Sequence, residues 1–314
     1  MVPAGTVVAT IPAPSTGGIG IGAGSVWVAN TLTNTVTRID PESNRVVATI
    51  PTGRSPEDLF HGPTRVAVGH GAVWVADGRS VCSCVHRIDA SSNSIVETIR
   101  LGTPTLPDFR LAPLGIAVTP DAVWIALRHG REEDALAGSV VRVDPLTNQV
   151  VAVVPLGSST DGGGPTRIAA SVSGVWVGIP SSRSVVRIDP GTNAVVATIP
   201  GLTCGEGELG ADDSGGVWVA DCDAVRRIDP STNDFSRTVK VPSPTLSNGT
   251  RGLAVGLGYV WAQSDVLTRI DPATGAIHGT LELDPALVWG EYSVATGFGS
   301  VWVRQIDRVV RIDP

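Results

Sequence analysis

The stretch Gly71-Ala-Val-Trp-Val-Ala-Asp77, followed in the same unit by Arg87-Ile-Asp89, decides the fold because the chain writes it seven times. Tryptophan recurs at Trp27, Trp74, Trp124, Trp176, Trp218, Trp261 and Trp302. Each is followed by Arg-Ile-Asp or Arg-Val-Asp, ending at Asp40, Asp89, Asp144, Asp189, Asp229, Asp271 and Asp313. Successive tryptophans lie 47, 50, 52, 42, 43 and 41 residues apart. Self-similarity at that period is the mark of a propeller built from four-stranded blades. The expected fold is all-β: a seven-bladed β-propeller of four-stranded antiparallel blades, forming one domain over residues 1–314.

Residues 63–102 show how one unit reads. Pro63–Gly69, Ala72–Ala76, Val85–Asp89 and Ser94–Arg100 are short runs rich in β-branched residues and bounded by Gly, Pro, Ser or Asn, which predicts four strands. The third and fourth are joined in most units by Asp-Pro-x-x-Asn, with Asn44, Asn93, Asn148, Asn193, Asn233 and then Gly275 at the equivalent place. Aspartate accepts from the turn amides, and Asn or Gly tolerates the left-handed conformation that ends the turn. These residues read as turn hardware. The repeated tryptophan reads as a wedge between blades, since burying an indole is worth roughly 5 kcal/mol as an upper bound. Gly5–Pro12 matches Asn193–Pro200, a fourth strand, so residues 6–11 are expected to become the outer strand of the last blade, beside residues 307–313.

A net charge of −7, with 23 scattered Lys and Arg, argues against nucleic acid as a partner. No apolar run approaches the roughly 18 residues of a membrane span, so no membrane insertion of this domain is expected. The start, Met1-Val-Pro-Ala-Gly5, shows no basic segment followed by an apolar one.

Function should reside on the face that carries the long links between strands two and three and between successive blades. There the insertions 52–62, 100–112, 127–139 and 282–290 collect. Counting nine residues back from each tryptophan gives Gly18, Arg65, Gly115, Arg167, Gly252 and Ser293, with Glu208 in the fifth unit after one extra turn residue. First strands line the channel, so Arg65, Arg167 and the neighbouring Arg251 read as anchors for an anion, with Glu208 and Glu291 as counter-charges. Tyr292 sits beside this set, and Trp289, outside the repeat, is a candidate contact. The competing reading of these arginines and carboxylates, and the one their residue types favour, is a polar network inside a water-filled shaft. His61 and His129 are candidate general bases on the same face. Cys82-Ser-Cys84 and the pair Cys204 and Cys222 fall in nearly opposite blades, which excludes a four-cysteine metal site within the ring. Cys204 and Cys222 occupy two loops on one face of one blade and are expected to form a disulfide. That pairing favours an oxidising compartment, periplasmic or secreted.

The units Gly71-Ala-Val-Trp-Val-Ala-Asp77 and Arg187-Ile-Asp-Pro-Gly-Thr-Asn-Ala-Val-Val-Ala-Thr-Ile-Pro200 resemble the YVTN-type bacterial β-propeller repeats along the whole chain. That resemblance implies a stand-alone extracytoplasmic propeller or a module of a larger bacterial protein. The chain is more distantly similar to virginiamycin B lyase, a seven-bladed enzyme that opens a cyclic ester by elimination. The lyase likeness implies a histidine within Pro-His-Gly at the channel mouth and a metal-associated glutamate. The first strands here hold Thr64, Leu114, Thr166 and Tyr292 instead.

The leading expectation is a non-catalytic, monomeric binding or sensor propeller, needing no cofactor, that engages a protein, peptide or small anionic ligand. The alternative is a lyase or hydrolase using His61 or His129 as base, with a divalent metal on Glu208 or Glu291.

Overall fold

The computed structural model describes residues 3–13, 17–53, 62–79, 82–102, 111–129, 138–156, 164–205, 207–243, 249–250, 252–283 and 293–314. Among them are seven four-stranded antiparallel sheets and no α-helix. Blades are numbered in chain order. Blade 1 comprises Ile19–Gly22, Ser25–Asn30, Thr35–Asp40 and Arg45–Pro51. Blade 2 comprises Pro63–Gly69, Ala72–Arg79, Cys82–Asp89 and Ser94–Arg100. Blades 3 to 6 repeat the pattern around Trp124, Trp176, Trp218 and Trp261.

Blade 7 contains strands from both ends of the chain. Its first three strands are Val294–Gly297, Ser300–Arg304 and Arg308–Asp313, and its fourth is Thr6–Pro12, paired from Thr6 opposite Asp313 to Pro12 opposite Arg308. The register slips by one residue between Val7 and Ala9. The same bulge interrupts the outer strand pair of blades 1 to 6, as at Arg38 and Ile39. The N-terminal segment therefore reproduces even the irregularity of a fourth strand.

The turn reading also holds at atomic detail. Asp40 Oδ1 accepts from the amides of Glu42 and Ser43, and the amide of Asn44 donates to the Asp40 carbonyl. Asn44, Asn93, Asn148, Asn193 and Asn233 all sit at φ between 54° and 59°, and Gly275 at 78°. The Ser91 hydroxyl and neighbouring turn amides hold the Asp89 carboxyl at about 2, well below the usual carboxylate range.

All seven repeated tryptophans are fully buried, and each faces the arginine of the Arg-Ile/Val-Asp motif across the second and third strands. In five blades the guanidinium lies over its own tryptophan, about 5.1–5.4 Å from the ring centre. It also reaches into the following blade. Arg38, Arg87, Arg142, Arg187 and Arg311 donate to the turn asparagines Asn93, Asn148, Asn193, Asn233 and Asn44, and to a backbone carbonyl of the same turns. One side chain thus combines a cation–π contact with two hydrogen bonds across a seam. The last of these latches, Arg311 to Asn44, joins blade 7 to blade 1.

Blade 5 departs from this scheme. Its turn Asp212-Asp213-Ser214-Gly215-Gly216 is longer than its counterparts, and it directs Asp212 onto Arg227 at 2.8 Å. The next turn offers Gly275 where the others have asparagine, so Arg227 has no side-chain acceptor there. Burial alone would raise the Asp212 pKa, but the hydrogen bonds from Arg227 and Ser214 outweigh it and hold it low. In six blades the indole N–H bonds to the residue five positions earlier, whereas Trp218 Nε1 has no hydrogen-bond partner among the described residues. At the seam between blades 5 and 6, a crevice of about 450 Å³ opens between Asp212, Arg227, Arg237, Gly258, Tyr259 and Pro272.

Candidate functional site

The first strands converge on the axis, and the residues counted back from the tryptophans gather there. A cavity of about 160 Å³ is lined by Gly18, Arg65, Gly115, Arg167, Glu208 and Ser293, with the apolar residues that follow them. Arg65 comes from blade 2, Arg167 from blade 4 and Glu208 from blade 5. Arg65 Nη2 lies 3.0 Å and Arg167 Nε 3.2 Å from the same oxygen, Glu208 Oε1.

Backbone carbonyls hold both guanidiniums in place: Arg65 Nη1 donates to the Thr64 carbonyl and Arg167 Nη1 to that of Thr166. Gly18 in blade 1 makes room, because a Cβ there would sit 2.8 Å from Arg65 Cδ. The Arg65 side chain is only 9% exposed and that of Glu208 19%. Charges so far out of water attract strongly and are costly to leave unmatched. Such a set does not fit a divalent cation on Glu208, whose carboxylate is already shared between guanidiniums. It suits an anion.

Of the other sequence candidates, His61, Arg251, Trp289, Glu291 and Tyr292 lie outside the described residues, as do most of the insertions that carry them. His129 is described. It ends the second strand of blade 3, is buried, and bonds through Nε2 to Ser139 Oγ at 3.0 Å. No histidine is among the described residues lining the channel cavity.

Cys204 and Cys222 are bonded to each other, tying the link between blades 4 and 5 to the turn between the second and third strands of blade 5. Asp221 supports that tie by accepting from the amides of Thr203 and Cys204. Cys82 and Cys84 are also bonded to each other, a pairing the sequence reading did not propose. The signal was present, since residues two apart on a strand share a face. The sequence reading also missed the latch arginines. Their Arg-Ile/Val-Asp motif was visible, but the acceptor lies in the next unit. Two disulfides fit an oxidising environment. No helix among the described residues is long and apolar enough to cross a membrane.

No protein-family model matches the chain, and no curated protein matches it, so the YVTN-type resemblance rests on the quoted residues. Solved structures do match. The chain is similar to a streptogramin B lyase, with a TM-score of 0.74 and 17% identity over 97% of this chain and 96% of that one. It is similar to the virginiamycin B lyase of Staphylococcus aureus, with a TM-score of 0.71 and 15% identity over 95% of both. It is also similar to the WD40 domain of Neurospora crassa Pan2, with a TM-score of 0.71 and 11% identity over 96% of this chain and 89% of that one. At these identities the likeness establishes the path of the chain, a seven-bladed propeller, and leaves its chemistry to the residues at the axis.

Proposed function

We propose that this chain is a non-catalytic binding or sensor propeller that takes a small carboxylate-bearing anion at its channel mouth. Arg65 and Arg167 are the cationic anchors, and Glu208 is the internal carboxylate that the ligand replaces. The observation that carries this reading is the convergence of both guanidiniums on one oxygen, Glu208 Oε1, beside a cavity. An entering carboxylate would find two donors already positioned and desolvated, with little ordering left to do. At about 160 Å³ the cavity lies below the roughly 300–1,000 Å³ of drug-sized sites, which limits the occupant to a small anion. Arg251, Tyr292 and Trp289 enter the proposal through their sequence positions near the same mouth. The two disulfides support an extracytoplasmic setting for such a sensor.

Calorimetric titration with acetate, succinate, citrate and inorganic phosphate tests this. Arg167→Ala should weaken carboxylate binding by at least about tenfold, as expected for losing one charge-assisted hydrogen bond. Glu208→Gln should tighten it, because the arginines then lose their internal partner. Absence of binding in both the unaltered protein and Glu208→Gln would refute the anion site. The two lyases of similar fold supply the rival reading, in which the same arginines stabilise negative charge developing on a cyclic ester. The convergence of two guanidiniums on one carboxylate oxygen supports the binding reading.

A further inference from the structure

We propose a second site, remote from the channel: a redox-gated centre for a thiophilic divalent cation such as Zn²⁺, formed by Cys82, Cys84, His86 and Asp77 in blade 2. Cys82, Cys84 and His86 alternate along the third strand and therefore share one face of the sheet. Asp77 stands directly opposite Cys84 on the second strand, which brings it to the same face. The sulfurs and an imidazole nitrogen of the three strand residues lie within 4.8 Å of one another. All four residues are buried, Asp77 and Cys84 completely. They lie on the side of the sheet where Val73, Val75 and Ile88 pack against Trp27 of blade 1.

The distances around the imidazole are those of a coordination polyhedron. His86 Nε2 is 3.7 Å from Cys84 Sγ and 3.2 Å from Asp77 Oδ2. With metal–sulfur, metal–nitrogen and metal–oxygen bonds of roughly 2.3, 2.05 and 2.0 Å, tetrahedral edges are about 3.6 Å for S···N and about 3.3 Å for N···O. Both observed separations lie within about 0.2 Å of these values. The second imidazole nitrogen is oriented as metal-bound histidines require: Nδ1 is 3.0 Å from Thr98 Oγ1, leaving Nε2 to face the cluster. Cys₂His with one carboxylate is a donor set for zinc-like ions, unlike the oxygen sets preferred by magnesium and calcium.

The disulfide between Cys82 and Cys84 is the closed state, since bonded sulfurs have no thiolate to offer. A dithiol reductant opens it by exchange: two electrons and two protons pass to the cysteine pair, giving two thiols, while the reductant becomes the disulfide. Cation binding then displaces one proton from each thiol. The metal occupies the position between the imidazole and Asp77 and couples the two strands. Oxidation by a disulfide-bearing partner releases the ion and restores the bond. Oxidised protein and metal-loaded protein are mutually exclusive states of one buried site.

Cobalt(II) titration tests this on the unaltered chain. Protein reduced with dithiothreitol and freed of it under anaerobic conditions should take up one equivalent. A thiolate-to-cobalt charge-transfer band and the intense visible bands of a tetrahedral ion should appear together, while oxidised protein shows neither. The signal should persist when Cys204 and Cys222 are both replaced by alanine and vanish in Cys84→Ser. Thr98→Val, which removes only the oriented hydrogen bond, should weaken binding by about 10–100-fold. Absence of the charge-transfer band in the reduced unaltered protein, or its survival in Cys84→Ser, overturns the proposal.

Discussion

The seam between blades 4 and 5 and the seam between blades 5 and 6 are neighbours built from the same repeat, yet only the first is latched. At the first, Arg187 lies over Trp176, bonds to the Ser173 carbonyl, and reaches Pro230 and Asn233 in the next blade. At the second, the corresponding Arg227 is turned back onto Asp212 and Ser214, the facing turn carries Gly275, and a crevice remains. Tryptophan burial is identical at both, so the wedge and the latch are separable devices. Burial makes the sheets stack, and a directional side chain makes neighbouring turns meet.

Several substitutions can break or sharpen that contrast. Trp176→Ala and Trp218→Ala should each cost about 3–5 kcal/mol in chemical denaturation, because both delete a fully buried indole. A large difference between them would mean the wedge depends on the latch. Arg187→Leu should cost about 2 kcal/mol and raise amide exchange at residues 230–233, having lost a cation–π contact and hydrogen bonds across the seam. Conservative truncation of the indoles should separate the blades differently. Trp176→Phe abandons the Ser171 hydroxyl, whereas Trp218→Phe removes a buried N–H that has no partner among the described residues, so the second should be milder by about 1 kcal/mol. Adding Gly275→Asn to Asp212→Ser should recover about 1 kcal/mol relative to Asp212→Ser alone. The released arginine then finds an acceptor at a position whose positive φ suits asparagine.

The smallest effect concerns acid. Asp89 has a lowered folded-state pKa, so its stabilisation is present above the unfolded carboxylate value near ~3.9 and is lost as pH falls through about 2. Asp89→Asn should flatten that part of the stability profile between about pH 4 and pH 2, and it should lower stability at neutral pH, where the ionised carboxylate held by the turn donors is lost. A profile of unchanged slope would show that the turn carboxylate is equally perturbed in the unfolded chain.

How much of this was legible beforehand follows from the range of each interaction. Trp27, Asp40 and Asn44 hold fixed places in each unit, so repetition displayed them seven, seven and five times over, and blades and turns could be read directly. The channel set also followed from counting, because first-strand positions bear a fixed offset to the tryptophan. Glu208 needed one residue of allowance, and the longer turn of blade 5 is the structural reason. The latch was hidden because Arg38 and Asn93 belong to different repeats, and only their joint alternation around the ring identifies them as partners. Cys82, Ser83, Cys84, Val85 and His86 alternate with period two. That pattern reads as an ordinary buried strand until the register brings Asp77 opposite. The candidates in the long insertions, His61 and Trp289 among them, have no repeat to fix their geometry.

The pairing of Thr6–Pro12 with Arg308–Asp313 gives this fold a last stitch drawn between segments about 300 residues apart. Loop-closure entropy grows only logarithmically, so this stitch costs about 3 kcal/mol more than a hairpin of ~10 residues. The ladder between the two strands, burial of Ile11 and the Arg311 bond to blade 1 offset that sum. Time is the greater burden. On a growing chain the first strand emerges long before its partner, and Ile11 waits in water until the whole wheel has been made.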